Sequence, residues 1–574
     1  MAFIKRHQKA ILILLAVCVL AGAGGLYWLK TSTSAFAVGF RDRAGEYINS
    51  LGLPRRPDVT RGLAVTGTTV YVDGELADAP GKIRGHDVKT VYATADGNVF
   101  CDYAAGFSVK LPADMTADLT KSPKYITFKS PSATAVISRE WAYEEDVSAY
   151  IGYYFHRFLL DESYRAANHL TLLEDTKTDN WERLTVRLDG AAGLDTYTYL
   201  TIKTGSRFFF RVMVKYSSEN AAAADVADGV LADFRYFRPE GTAKYTTDFR
   251  PELPANWSAE TRALYDRIAA SPDVLWGIFT SRIEEQGIRE WIPAIEKSLE
   301  FQFPIVLAYV GVDRGFPTEF MERCDGEGRI VELTLQITET NNLSIAGHSP
   351  WLDLYRTGGD ERIRAFARGA KAFGKPFLFR LNNEMNSDWT SYSGVTNLLD
   401  PELYAENWRT VYRIFEEEGV DNAIWIFNPN DRDAPPNAWN SAAAYYPGNE
   451  YVQLFGVTGY NNGDYYRDVT GEYWREFDVI YDKITRDAAG MYDAFPWIIT
   501  EFSSSSVGGD KAKWIDGMFK NLPNYPRIKA AVWFSSADYD VADDTIAARP
   551  YWIDETDETL AAFRKGLLSQ QAKP

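Results

Sequence analysis

Cysteine and histidine are scarce in this sequence. Its 574 residues include three cysteines, Cys18, Cys101 and Cys324, and five histidines. No C-x-x-C pair occurs, so the disulfide framework of a short secreted domain is excluded, and we expect Cys101 and Cys324 to be separate thiols. The histidines lack the H-E-x-x-H spacing that binds zinc. We therefore expect no metal and no other cofactor.

Positive charge is also in short supply. Lys and Arg together number 61 against 79 Asp and Glu, which gives a formal net charge of −18. Because nucleic-acid binding needs a basic face, a nucleic-acid partner is disfavoured. Neither a Gly-x-Ser-x-Gly elbow nor a phosphate-binding loop occurs, so acyl transfer and nucleotide chemistry have no support.

Apolar and aromatic residues, in contrast, are abundant. They make up 46% and 14% of the chain, a composition that can bury a large core and that excludes a disordered protein. The 16 tryptophans and 34 tyrosines also suit flat, hydroxyl-bearing ligands such as sugars. A chain of this length is expected to fold into two or three domains.

The first long hydrophobic stretch lies at the N-terminus. Residues 10–29 carry no charge, and a basic segment, residues 5–9, precedes them. A run of this length can cross a bilayer as a helix, and its basic flank stays in the cytoplasm. We therefore predict a signal anchor that places the rest of the chain outside the cytoplasm. The alternative is a signal peptide, residues 1–37, cleaved at the small-x-small pattern of residues 35–37, which also predicts export.

Residues 38–240 are predicted to form an accessory domain. Short strand-like runs such as Phe107–Leu111 and residues 133–138 are separated by turn residues, and residues 144–160 show helical spacing. This order predicts an α+β domain with one antiparallel sheet. Residues 241–258 are rich in proline and polar residues and are predicted to be a linker.

In residues 259–570, strand-like apolar runs alternate with helical stretches. The runs are residues 274–279, 304–312, 331–337, 376–381, 423–427, 452–458, 497–500 and 528–534. Eight strand-then-helix units predict an α/β fold, a (β/α)8 TIM barrel that follows the α+β accessory domain. Chemistry in such a barrel lies at the C-terminal ends of the strands.

Two of these strand ends deliver a glutamate. Glu384 follows the fourth predicted strand, and Glu501 ends the seventh. A single glutamate at such a place is more often a solvated turn residue or a helix cap. Two carboxyl groups that face each other across one cleft are the apparatus of glycoside hydrolysis, in which one is protonated and the other ionised. The pair therefore favours that chemistry.

Several short motifs surround the two glutamates. They are Gly374-Lys375-Pro376, Arg380, Glu384-Met385-Asn386 with Trp389, Thr500-Glu501-Phe502 and Trp533. Together these motifs resemble glycoside hydrolase family 26, over roughly residues 274–552. The resemblance implies a retaining reaction, with Glu384 as the acid/base and Glu501 as the nucleophile.

The same resemblance suggests further binding residues. Tyr460 is similar to a tyrosine that hydrogen-bonds the nucleophile, Trp533 to a tryptophan that stacks under the sugar, and Arg380 is placed to orient a carboxylate. Other aromatic residues are candidates for the wall of the cleft, with packing in the core as the equal alternative: Trp276, Trp389, Tyr392 and Trp439.

The sequence departs from the family pattern next to the acid/base. Asn383 stands where the family usually has histidine, and Thr458 stands where an aspartate is common. An amide at position 383 can donate to the sugar 2-hydroxyl, whose orientation differs between mannose and glucose. We therefore expect a preference for an equatorial 2-hydroxyl, as in glucans.

These features predict an exported, retaining, endo-acting hydrolase whose partner is a polysaccharide: β-mannan, β-glucan or a related glycan. The alternative is a non-catalytic polysaccharide-binding or scaffold protein built on the same barrel. Retaining chemistry also predicts that the carboxyl groups of Glu384 and Glu501 lie roughly 5 to 5.5 Å apart.

Overall fold

The computed structural model describes residues 52–79, 81–143, 146–205, 207–244, 249–340 and 345–571. The chain divides into two units, Met1–Arg55 and Arg56–Pro574, and the second contains every helix and strand reported below. The predicted membrane span, the predicted cleavage pattern and Cys18 lie outside the described residues. Among the residues that are described, no helix combines the length and the apolar character needed to cross a bilayer.

The predicted accessory domain contains two antiparallel sheets and not one. The first has the strand order β13-β5-β4-β3-β1-β2, and the second the order β6-β7-β8-β12-β11-β10-β9. The strands are β1 (Val65–Val72), β2 (Glu75–Ala77), β3 (Val88–Thr94), β4 (Gly97–Asp102), β5 (Phe107–Leu111), β6 (Thr116–Asp118), β7 (Tyr125–Lys129), β8 (Ala133–Trp141), β9 (Leu170–Lys177), β10 (Trp181–Leu188), β11 (Thr196–Lys203), β12 (Phe208–Tyr216) and β13 (Arg235–Tyr236).

An aromatic core joins the two sheets. Phe100 of the first sheet meets Phe128 of the second edge to face, with ring centroids 4.9 Å apart. Phe107 contacts Phe210 in the same way and stacks on Phe234, which follows the helix Ala221–Asp233. The prediction of a single sheet was wrong because the alternation of apolar residues identifies a strand with a buried face, but not the sheet that the strand joins.

The helical segments of the accessory domain are short. The predicted helix of residues 144–160 consists of an α-helix, Val147–Ile151, a π-helical turn, Gly152–His156, and a second α-helix, Arg157–Leu160. A further helix, Glu162–Ala167, follows. The side chain of Asp146 caps the first helix by accepting hydrogen bonds from two backbone N–H groups.

The predicted eight-stranded barrel is confirmed. Its parallel strands close in chain order, from β14 to β21. They are β14 (Leu275–Thr280), β15 (Ile305–Gly311), β16 (Ile330–Gln336), β17 (Phe377–Leu381), β18 (Ala423–Phe427), β19 (Leu454–Thr458), β20 (Trp497–Phe502) and β21 (Ile528–Ser535), and a small hairpin of β22 (Ala537–Tyr539) and β23 (Ala547–Pro550) follows them.

Helices surround the barrel. Those of eight or more residues are Ala259–Ala269, Ile283–Trp291 (a π-helix), Ile292–Leu299, Thr318–Gly326, Pro350–Thr357, Glu361–Phe373, Pro401–Glu417, Phe477–Ala488, Lys511–Asn521 and Asp557–Gln571. The first of them closes the N-terminal end of the barrel, because its Leu264 and Ile268 join the aliphatic cluster inside the strands.

The inside of the barrel changes character along its axis. Near the N-terminal ends of the strands, aliphatic side chains such as Ile305 and Leu378 fill it. Further along the strands, inward-pointing positions carry polar side chains, and Thr334, Arg380 and Thr458 are all buried there. A dry polar floor therefore lies under the C-terminal face of the barrel.

Candidate active site

Glu501 lies on this polar floor, at the end of β20, and five side chains donate to its carboxylate, the most distant being the hydroxyl of Thr458, 3.5 Å from Oε1. Oε1 accepts hydrogen bonds from Nη1 of Arg380 at 2.8 Å and from Nδ2 of Asn383 at 3.2 Å. Oε2 accepts hydrogen bonds from the hydroxyl of Tyr460 at 3.1 Å and from the hydroxyl of Tyr309. Donors on both oxygens fix the orientation of the carboxyl group.

The guanidinium of Arg380 is also fixed by further hydrogen bonds. Its Nε donates to Thr334 Oγ1 at 2.7 Å, and its Nη1 also donates to Asn428 Oδ1 at 2.8 Å. A second acid, Glu332, lies 3.5 Å from Nε. Burial raises the pKa of Glu332 to about 8, so this carboxyl is neutral near pH 7. The charge of Arg380 is therefore directed at Glu501.

Glu384 has a different environment. Its Oε2 accepts a hydrogen bond from the indole Nε1 of Trp389 at 2.8 Å, and its Oε1 accepts one from Nδ2 of Asn430 at 2.7 Å. Burial, and then the negative charge of Glu501, raise the pKa of Glu384 to about 8. Near neutral pH Glu384 can thus carry a proton, as the general acid of glycoside cleavage must.

The backbone at the end of β17 is strained where the acid is presented. Asn382 and Glu384 have φ angles of +48° and +57°, in the left-handed region that side chains other than glycine rarely adopt. Two hydrogen bonds hold this conformation: the Glu384 N–H donates to the Asn428 carbonyl at 2.9 Å, and Asn382 Oδ1 accepts from the Ile337 N–H at 2.7 Å.

The amide of Asn383 has a fixed orientation. Its Oδ1 accepts hydrogen bonds from Nε2 of Gln336 at 2.9 Å and from the hydroxyl of Tyr392 at 3.0 Å. With its oxygen occupied by two donors, the amide turns its NH2 group towards Glu501. A donor therefore lies next to the carboxylate of Glu501.

Two predicted sugar platforms do not lie in the site. Trp276 and Trp533 are fully buried and point outwards from their strands, towards the helices, where both pack on Phe563. Side chains alternate along a strand, so their neighbours Gly277 and Phe534 take the inward positions. The predictions for both tryptophans were wrong because the motif gives the strand but not the phase of the alternation at its end.

Trp439 was also predicted to line the cleft, and this too was wrong. It is fully buried, its ring lies edge to face with Phe155 at 6.0 Å, and the guanidinium of Arg211 lies 5.3 Å from its centre. Both of these partners belong to the accessory sheets and helices. Trp439 therefore packs between the accessory domain and the barrel.

The structure brings the other predicted site residues together, and it adds three that the sequence analysis missed. Those brought together are Glu384, Glu501, Asn383, Arg380, Tyr460 and Trp389, which is 49% exposed. The added residues are Tyr309, Asn430 and Phe534, whose ring stacks on Phe279 and meets Tyr460 edge to face. Tyr309 could have been found, because it continues the inward alternation of Ile305 and Leu307.

The barrel carries one carboxyl group after its fourth strand and another at the end of its seventh. Two carboxyl groups in these places are typical of glycoside hydrolases that work through a carboxyl pair. Residues 361–494, which lie within the barrel, match the model of glycosyl hydrolase family 26.

Among curated proteins, the chain is similar to endoglucanase H of Acetivibrio thermocellus, with 29% identity over 232 residues. The match covers 39% of this chain and 24% of that protein, so the chain spans about a quarter of the length of this relative. Among solved structures, Bacillus subtilis mannanase man26 is 15% identical, with a TM-score of 0.36 and coverage of 55% of this chain and 93% of that one.

A Cellulomonas fimi endo-beta-1,4-mannanase double mutant is 13% identical, with a TM-score of 0.40 and coverage of 56% of this chain and 76% of that one. Neither of these two structural similarities bears on the substrate.

Proposed function

We propose that the protein is an exported, retaining, endo-acting β-glycan hydrolase in which Glu384 is the acid/base and Glu501 the nucleophile. One observation carries the proposal: the two carboxyl groups lie in opposite environments. Glu501 receives five hydrogen bonds, one of them from a guanidinium, whereas burial and a neighbouring negative charge keep the proton on Glu384.

The reaction takes two steps. In the first, Glu501 attacks the anomeric carbon, and the glycosidic bond breaks as Glu384 gives its proton to the departing oxygen. In the second, Glu384, now ionised, takes a proton from water, and the water oxygen displaces Glu501 from the same carbon. The sugar leaves with the configuration it had, and both carboxyl groups return to their starting states.

The donors around Glu501 have separate tasks in this scheme. Arg380 and Tyr309 reach it from within the barrel and orient it for attack. The NH2 group of Asn383 lies where it can also donate to the 2-hydroxyl of the sugar, a contact that strengthens as positive charge develops at the anomeric carbon. The separation of the two carboxyl groups stays a prediction, at roughly 5 to 5.5 Å.

The proposed substrate is a β-glucan in preference to β-mannan. The amide of Asn383, fixed by Gln336 and Tyr392, supports this choice, because it can donate to the sugar 2-hydroxyl from another position and with another reach than the histidine usual in the family. The name of the similar Acetivibrio thermocellus protein, endoglucanase H, supports both the glucan and the endo mode of action. The half-exposed indole of Trp389 beside the acid offers a surface on which a sugar ring can stack.

Export is proposed from the N-terminal sequence alone. The uncharged residues 10–29 behind a basic flank favour a membrane anchor, with a cleaved signal peptide as the alternative. A glycan-degrading enzyme needs to meet polymers that do not enter the cell, which agrees with this proposal.

A panel of soluble glycans tests the proposed function. Wild type should release reducing ends from β-glucan, and Glu501→Gln should abolish release. Glu384→Gln should lose natural glycans by about 10²- to 10⁴-fold but spare substrates with good leaving groups, which need no proton. Glu322→Gln, an exposed carboxyl on the outer helix Thr318–Gly326, is the matched control. Glycan binding without turnover on any substrate would instead favour the non-catalytic alternative.

A further inference from the structure

The loop that follows β17 is unusual in how deeply it is buried. It runs from Asn382 to the buried Asp400, which caps the helix Pro401–Glu417, and apart from Asp388 and Trp389 its side chains are buried. This loop, the acid loop, carries Glu384 together with the indole that donates to it. The end of the acid loop near Asp400 packs on the accessory domain as well as on the barrel.

Side chains of the accessory domain bond to the far end of the acid loop. The hydroxyl of Tyr164 donates to the carbonyl of Thr396, and the hydroxyl of Tyr199 donates to the carbonyl of Leu398 at 2.5 Å. From β12, Nη2 of Arg211 donates to the carbonyl of Leu399 at 2.6 Å. Four residues further along β12, on the same face, Nζ of Lys215 lies 3.0 Å from Oδ2 of Asp400.

The backbone at this contact is strained. Leu398 and Leu399 have φ angles of +57° and +51°, and consecutive leucines rarely adopt this left-handed conformation. Such a conformation persists only where the surroundings hold it. Here Tyr199 and Arg211 bond the carbonyl oxygens of these two leucines, so the accessory sheet supplies donors to the strained segment.

The accessory domain also forms hydrogen bonds to a second loop, residues 428–440, which follows β18. The carboxyl of Glu140 accepts hydrogen bonds from the N–H groups of Ala438, at 2.7 Å, and Trp439, at 3.1 Å. The hydroxyl of Tyr150 donates to Oδ1 of Asn437 at 2.7 Å. The same loop supplies Asn430, the second hydrogen-bond donor to Glu384.

The two loops are also tied to each other beside the acid. The Asn430 N–H donates to Oδ1 of Asn386 at 2.8 Å, and Nδ2 of Asn386 returns a hydrogen bond to the Asn430 carbonyl at 3.2 Å. The two donors to Glu384 are the indole of Trp389 and the amide of Asn430. Both therefore belong to loops that form hydrogen bonds with the accessory domain.

We propose that the accessory domain is a positioning element for the general acid: Tyr164, Tyr199 and Arg211 hold the acid loop so that Glu384 stays dry and aligned with the departing oxygen. This inference rests on the proposed function of Glu384. It assigns a catalytic consequence to residues more than 160 positions before the acid in the chain, none of which touches the substrate.

The character of the contact favours positioning over simple adhesion. Arg211, Lys215 and Glu140 are all buried, and they bond backbone groups or a capping carboxylate of the two loops. Burying charged groups is costly, and an interface that only held two domains together would be as stable with apolar residues. Directional bonds to particular carbonyls instead specify one loop conformation.

A loosened acid loop should impair only the steps that need the acid. Natural glycans depend on protonation of the leaving oxygen, whereas an aryl glycoside with a good leaving group departs without it. Loosening also admits water to Glu384, which relieves the burial that favours its neutral form. The alkaline limb of the pH profile for natural glycans should then move to lower pH.

The test compares two sets of isosteric variants of the full chain. Tyr164→Phe with Tyr199→Phe removes only the two hydroxyl groups that bond the acid loop. Tyr197→Phe is the matched control, because it removes a buried hydroxyl from the same strand and face as Tyr199, one that meets Tyr355. Each protein is assayed on β-glucan and on an aryl β-glycoside with a good leaving group, across pH.

On β-glucan, the kcat of the double variant should fall about tenfold, which is part of the ~10²- to 10⁴-fold that a positioned acid contributes. On the aryl glycoside, its kcat should change by less than about twofold. Its alkaline limb should move to lower pH, while Tyr197→Phe matches wild type on both substrates. Equal losses on the two substrates, or no change in either, in a folded double variant would overturn the positioning role.

Wild type itself separates this inference from the proposed function. If wild type turns over neither substrate, the proposed function fails. If wild type is active and the double variant shows no difference between substrates, only the positioning role fails. If the double variant does not unfold cooperatively on heating, Tyr164→Phe and Tyr199→Phe are assayed as single variants. Equal losses of activity on both substrates in each single variant would then overturn the positioning role.

Discussion

Arg380 and Glu501 form a buried ion pair in which the guanidinium has no freedom to turn away. Nη1 lies 2.8 Å from Oε1 of Glu501, while Thr334 and Asn428 accept two further hydrogen bonds from the same group. The neighbouring Glu332 is neutral near pH 7 because burial raises its pKa to about 8. A fixed positive charge therefore faces one carboxylate, which is the preorganised arrangement that a nucleophile needs.

Replacement of this guanidinium tests its task. In Arg380→Lys the charge remains, but an ammonium cannot bond Thr334, Asn428 and Glu501 in the same fork. We expect kcat/KM on β-glucan to fall by about 10²- to 10³-fold, as when one preorganised donor is lost from a catalytic site. Arg368→Lys, an exposed position on the helix Glu361–Phe373, is the control in steady-state assays. A loss of less than about threefold in Arg380→Lys would show that the pair does not support the nucleophile.

The raised pKa of Glu384 predicts an alkaline limb in the activity profile. The carboxyl is the proton donor, so it is active below its pKa, and kcat/KM on β-glucan should fall as the pH rises through about 8. The limb should be absent for an aryl glycoside with a good leaving group, which needs no proton at its first step. An identical limb on both substrates would assign that ionisation to another group.

Glu332 predicts a pH dependence of stability. Its pKa is raised from 4.5 to about 8 in the folded protein, so folding favours the protonated form. The stability that this group contributes is fully present below pH 4.5 and is lost as the pH rises towards 8. Glu332→Gln keeps a neutral side chain there, and its Tm should fall less than that of wild type between these pH values. Parallel curves for the two proteins, measured by calorimetry, would contradict this.

Asn383 predicts the choice between glucan and mannan. Wild type should have the higher kcat/KM on β-glucan, and Asn383→His should shift the ratio towards mannan, because histidine donates from a different position and with a different reach. Gln336→Glu provides a comparison, since it disturbs the partner that orients the amide but leaves the amide itself. A wild-type preference for mannan, or an unchanged ratio in Asn383→His, would refute this role for Asn383.

The strands of the barrel could be predicted from the sequence because each is a short apolar run followed by a helical stretch. β18 was predicted as Ala423–Phe427, where the structure has it, and the other seven agree to within two residues at each end. Glu384 and Glu501 could be singled out for the same reason, since both stand where such a strand ends, and their roles as acid and nucleophile stay predictions. The sequence did not show which residues of each strand point into the barrel. Trp533 was therefore assigned to the cleft in the place of Phe534.

Contacts across long chain separations lay beyond the sequence. Arg211 and Leu399 are 188 positions apart, and no local pattern marks either as a partner of the other. The left-handed backbone of Leu398 and Leu399 is likewise invisible in the sequence, because leucine normally indicates regular structure. The contact between the accessory domain and the acid loop is therefore visible only in the three-dimensional structure.

The identity of the nucleophile is the central claim, and covalent trapping tests it most directly. A 2-deoxy-2-fluoro β-glycoside with a good leaving group should form a glycosyl-enzyme that is slow to hydrolyse, because fluorine withdraws the electrons that the positively charged transition state needs. Digestion and mass spectrometry should then find the sugar ester on Glu501, and Glu501→Gln should acquire no label. A label on Glu384, on Glu332 or on any other residue, in an enzyme that turns over β-glucan, would contradict the account.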